Sequence, residues 1–94
     1  MILQPAIRIL IADDDPVIRE VLALIVTEMG CAATETDTAS GTFDAATRGA
    51  FDIILLDVRF PDCRDLSLLQ KIRAAVPGTD VVLITAEADD MGMV

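Results

Sequence analysis

Four short apolar runs divide the chain, and each gives way to polar residues: "AIRILIA" (6–12), "CAATETD" (31–37), "FDIILLD" (51–57) and "DVVLIT" (80–85). Runs this short, rich in β-branched and long aliphatic side chains, predict strands rather than helices. The second is the most polar of the four and fits a sheet edge. Between them the spacing changes to three and four residues. Ile18, Val21, Leu22, Ile25 and Met29 mark a first helix that starts at Asp15-Pro16 and stops at Gly30. Aspartate there caps free N–H groups, proline suits the first helical position, and glycine suits the exit. "SGTFDAATRGA" (40–50) predicts a second helix, with Ser40 as cap, Phe43, Ala46 and Ala50 on one side, and Gly49 near its end. Leu66, Leu69, Ile72, Arg73 and Val76 predict a third, ended by Pro77-Gly78. "AEADDMGMV" (86–94) would begin a fourth.

Strands alternating with helices over short connections predict an α/β fold, a parallel sheet covered on both faces. The 94 residues allow one domain, taken here as 1–94. A hydrophobic fraction of 53% with only 3% aromatics implies a core of Ile, Leu, Val and Ala, as suits a sheet buried on both sides. The net charge of −9 would repel phosphate backbones and anionic lipid, so direct nucleic-acid binding by this segment is not expected. No run is long enough to cross a bilayer. Cys31 and Cys63 are far apart and there is no histidine, so both read as reduced thiols of a cytoplasmic protein rather than metal ligands.

The polar positions that end the strands carry the chemistry. Asp13, Asp14 and Asp15 follow the first run without an intervening lysine or arginine, Asp57 ends the third and Thr85 ends the fourth. Ligands of parallel sheets sit beyond the carboxyl ends of the strands, so these side chains are expected on one rim. Two full charges about 4 Å apart repel by roughly 4 kcal/mol at an effective dielectric near 20. Something must offset that repulsion.

"ILIADDDPVIREVL", "FDIILLDVRFPD" and "VVLITA", in that order, resemble the receiver domains of two-component response regulators. The resemblance covers nearly the whole chain. It implies a flavodoxin-like, doubly wound sheet with strand order 2-1-3-4-5, and an Asp57 that accepts a phosphoryl group from a histidine kinase or phosphotransfer protein. It further implies that Asp14, Asp57 and the Arg59 backbone carbonyl ligate Mg²⁺, with Asp13 helping largely through water. Thr85 would bond the new phosphoryl oxygens and move inward as the switch hydroxyl. Oxygen donors without nitrogen or sulfur are what such a hard cation selects, and the metal would offset the repulsion among the aspartates. Arg59 and Glu87, two residues beyond Asp57 and Thr85, are expected to pair across the mouth of the site.

The family pattern is broken in two places. Asp65 stands where the family usually has a glycine before the third helix, so the loop "PDCRD" must turn without that residue. The usual fifth strand, ending in Lys-Pro, and the fifth helix are missing before Val94, leaving an order of 2-1-3-4; Lys71, on the third helix, is the only lysine. The expectation is that the sequence belongs to a longer regulator whose output domain lies outside it. The alternative is a short form that completes its sheet as a homodimer through the exposed fourth strand. Two other functions compete with the phosphoacceptor. One is a pseudo-receiver, a protein-interaction module that is not phosphorylated. The other is a haloacid-dehalogenase-like phosphatase with Asp13 as nucleophile and Asp15 as acid, which lacks its lysine and leaves Asp57 without a role.

Overall fold

The computed structural model describes residues 6–84. Its elements run β1 (Arg8–Ala12), α1 (Pro16–Glu28), β2 (Ala32–Thr36), α2 (Ala39–Arg48), β3 (Ile53–Asp57), α3 (Ser67–Ala75) and β4 (Asp80–Ile84). The four strands form one parallel sheet of order β2-β1-β3-β4, as anticipated, with Ile9 opposite Ile53 and Leu56 opposite Leu83. Alternation along β1 sends Ile9 and Ile11 to one face and Leu10 and Ala12 to the other, and all four are buried. The first pair packs with Val26 of α1. The second packs with Ala39 and Ala46 of α2 and Leu68 and Ile72 of α3, together with Ile54, Leu56 and Phe60. One helix thus covers one face and two cover the other, which is the doubly wound arrangement.

Local signals set the helix ends, with one exception. Asp15 Oδ1 accepts from the Val17 and Ile18 N–H groups at 2.9 and 3.4 Å, and Pro16 occupies the first helical position. Gly30, past the end of α1, takes φ +86°, a left-handed conformation that disfavours side chains. The exception is α2, which is capped by Thr38 rather than Ser40: Thr38 Oγ1 accepts from the Gly41 N–H at 3.0 Å. The Asp62 carboxylate, from the loop after β3, accepts from the Ala39 and Ser40 N–H groups at 2.8 and 3.0 Å. Ser40 is therefore inside the helix, with its own N–H already engaged.

The buried stripes are narrower than the spacing suggests. On α1 the packed residues are Leu22, Ala23 and Val26, while Val21, Ile25 and Met29 remain 50%, 49% and 72% exposed. Apolar residues run almost all round this helix, so periodicity alone could not choose the packed side. On α3 the buried residues are Leu68 and Ile72, and Leu66 lies outside the helix. Among the described residues, no helix is long and apolar enough to cross a membrane.

Candidate functional site

At the carboxyl ends of the neighbouring strands β1 and β3, Asp13, Asp14 and Asp57 come together. One carboxylate oxygen of each lies within 4.8 Å of the others. Asp13 is 6% exposed, Asp57 is half-buried and Asp14 is open to solvent, so the cluster is a cup with one wet side. Three oxygen donors without nitrogen or sulfur fit a hard divalent cation such as Mg²⁺, which keeps several waters and takes only one or two carboxylates.

The main chain fixes these groups. The Asp13 N–H donates to the Thr36 carbonyl at 3.1 Å, Asp13 Oδ1 accepts from the Asp15 N–H at 2.9 Å, and Arg19 Nη1 donates to the Asp13 carbonyl at 2.9 Å. Asp57 Oδ1 accepts from the Arg59 N–H at 3.2 Å. Burial lifts the Asp57 carboxyl from 3.8 to about 6; the Arg59 N–H opposes this, and the charges of Asp13 and Asp14 add to it. Any cation in the cup would reverse these repulsions. Asp15, the acid of the phosphatase scheme, is engaged as the α1 cap and so stabilises the helix start.

Of the residues singled out from the sequence, Asp13, Asp14, Asp57 and Arg59 are brought to this rim. Thr85 and Glu87 lie outside the described residues, as do Ala86 and the segment expected to begin a fourth helix. On either side of Pro61 and Asp62, Phe60 and Cys63 exchange both backbone hydrogen bonds, at 2.9 and 3.1 Å. Among the described residues only Gly30 has a positive φ, so the loop turns at Asp65 without needing a glycine there. Asp65 Oδ1 instead accepts from the Ser67 N–H at 2.9 Å, at the start of α3. Both cysteines are free thiols. Arg19, Thr42 and Asp62 were not foreseen. A basic residue near the start of a helix, unfavourable to its dipole, was the one signal available for Arg19.

Comparison with known proteins agrees with this geometry. A family model described as the response regulator receiver domain matches residues 9–94. The chain is 35% identical over 81 residues to the probable transcriptional regulatory protein TcrX of Mycobacterium tuberculosis, covering 86% of this chain and 35% of that protein. It spans about a third or less of the first curated relatives it matches. Among solved structures, the receiver domain of a Pseudomonas aeruginosa sensor histidine kinase, with magnesium coordinated in its active-site cleft, superposes with a TM-score of 0.81. It is 28% identical, over 88% of this chain and 70% of that one. The complex of histidine kinase ThkA with response regulator TrrA matches with a TM-score of 0.78 and 29% identity, over 84% of this chain and 68% of that one.

Proposed function

For a chain that belongs to the response regulator receiver domains, we propose that Asp57 is the phosphoacceptor, taking a phosphoryl group from a histidine kinase or phosphotransfer protein. The observation that carries this reading is the meeting of Asp13, Asp14 and Asp57 at the ends of two adjacent parallel strands. In the transfer, an Asp57 carboxylate oxygen attacks phosphorus in line, the P–N bond to the donor imidazole breaks, and the electron pair goes to that nitrogen; because the donor's other ring nitrogen carries a proton, the imidazole leaves neutral. Asp14, Asp57 and the Arg59 carbonyl would hold Mg²⁺, with Asp13 acting largely through water; the ion supplies charge neutralisation and polarises the phosphoryl oxygens. The Arg59 N–H orients one Asp57 oxygen, and burial of the carboxylate weakens its solvation, so that it is a better nucleophile than a free aspartate.

Thr85 is assigned the switch role, bonding the phosphoryl oxygens and shifting the balance between two conformations. Arg59 and Glu87 are assigned the mouth of the site, where they slow water's access to the acyl phosphate. The domain is a signalling element, with phosphotransfer and dephosphorylation as its only chemistry. It acts in the cytoplasm within a longer regulator whose output domain lies outside residues 1–94, and where β4 is left open it is the edge through which two copies would pair.

The test is incubation with Mg²⁺ and acetyl phosphate, followed by intact-mass and peptide mapping. Incorporation of one acid-stable, base-labile phosphoryl group at Asp57, lost in Asp57→Asn, is expected. Absence of incorporation would favour the pseudo-receiver, and a mark on Asp13 the phosphatase.

A further inference from the structure

Arg19 is the fourth residue of α1, close to the positive end of the helix dipole, where a cation is disfavoured. Its side chain is nevertheless drawn down to 20% exposure. Two contacts account for that. Nη1 donates to the Asp13 carbonyl at 2.9 Å, and Nε lies 3.3 Å from Glu35 Oε1 on the edge strand β2. Asp13 is thereby held at its N–H by Thr36, at its carbonyl by Arg19 and at Oδ1 by the Asp15 N–H. The guanidinium ties the end of β1, the first turn of α1 and the end of β2 into one clamp. Neither contact involves a carboxylate oxygen of Asp13, Asp14 or Asp57, so the clamp leaves those oxygens to a cation.

We propose that Arg19, itself held by Glu35, is a positioning residue that fixes the β1–α1 loop so that Asp13 and Asp14 face Asp57 at cation-binding distance. This rests on the Mg²⁺ reading given above. The role requires two nitrogens of one planar fork acting in different directions, and a lysine ammonium cannot replace them with the same geometry. It also predicts an effect opposite to that of bulk charge. Removing a nearby positive charge should tighten cation binding if charge alone mattered, whereas loosening the loop should weaken it.

Mg²⁺ alone, titrated calorimetrically into the wild-type chain and into Arg19→Lys, Arg19→Gln and Glu35→Gln, separates these cases. Circular dichroism in chelator establishes that each variant is folded. Partners outside the ligand shell change metal affinity by about 10–100-fold. Both Arg19 variants are expected to bind Mg²⁺ about tenfold more weakly than wild type, without rescue by lysine, and Glu35→Gln about threefold more weakly. Affinities within twofold of wild type, tighter binding by Arg19→Gln, or full rescue by lysine would overturn the positioning role while leaving the Mg²⁺ site standing. A wild-type chain that takes up no Mg²⁺ would overturn both.

Discussion

Replacing Asp57 by asparagine should stabilise the metal-free protein, although it removes the residue on which the proposed function depends. Asparagine keeps the shape and an oxygen to accept the Arg59 N–H, but carries no charge to be buried or repelled. The carboxyl of the folded protein titrates at about 6 against 3.8 for an unconstrained aspartate. The native state therefore holds this proton more tightly than the unfolded chain. Below pH 3.8 the group is neutral in both states and costs nothing. Between there and about 6 the folded state loses stability as pH rises, and above that the whole penalty is present. At about 1.4 kcal/mol per pH unit the span corresponds to roughly 3 kcal/mol. The carboxylate is only half-buried, and solvent screening reduces that to about 1–1.5 kcal/mol. With a urea dependence of about 1–1.5 kcal/mol per molar for a domain of this size, the midpoint of Asp57→Asn should rise by about 1 M at pH 7.5. The chain has no tryptophan or tyrosine, so the unfolding is followed by far-ultraviolet circular dichroism, in chelator. Most of the advantage should be gone by pH 4. An Asp57→Asn variant no more stable than wild type at pH 7.5, or one whose advantage persists undiminished at pH 4, would refute the electrostatic account.

Asp62→Ala should lower the thermal midpoint at neutral pH by freeing the Ala39 and Ser40 N–H groups at the start of α2. Those two bonds hold the Asp62 carboxyl below its usual range, so its contribution is present at neutral pH and fades as acid protonates it; the difference from wild type should shrink in an acid series of melting curves. Thr42→Val should cost about 1–2 kcal/mol in urea unfolding, because the fully buried hydroxyl donates to the Thr38 carbonyl at 2.7 Å and lies 2.8 Å from Thr36 Oγ1. A loss below about 0.5 kcal/mol would mean that Thr36 finds water instead.

What could be read from the sequence was what is encoded locally. β1 and β3 announce themselves as continuous aliphatic runs because both faces of β1 are buried, as is one face of β3 with the other partly covered, and the Asp15-Pro16 start and Gly30 stop of α1 depend only on neighbours in the chain. The acidic cup was legible because strand ends in a parallel sheet must share a rim, which places Asp13 and Asp57 side by side. Contacts between side chains and a distant main chain were not legible. Asp62 reaches across more than twenty residues to accept from the Ala39 and Ser40 N–H groups at the start of α2, beside the Thr38 cap. Glu35 looks like an ordinary polar edge-strand residue until β2 is set beside α1. The packed side of α1 depends on where the sheet lies, and a helix with apolar residues in most directions does not disclose it.

The central position of β1 bears on how the protein is made. Synthesis delivers "RILIA" before both of the strands that flank it: β2 starts at Ala32, and Ile9 must wait for Ile53. Until then the nascent chain carries an aliphatic ribbon with no second flank, the kind of segment that chaperones shield. Closure across such sequence separations, rather than helix formation, is the slow event expected to set the pace of maturation.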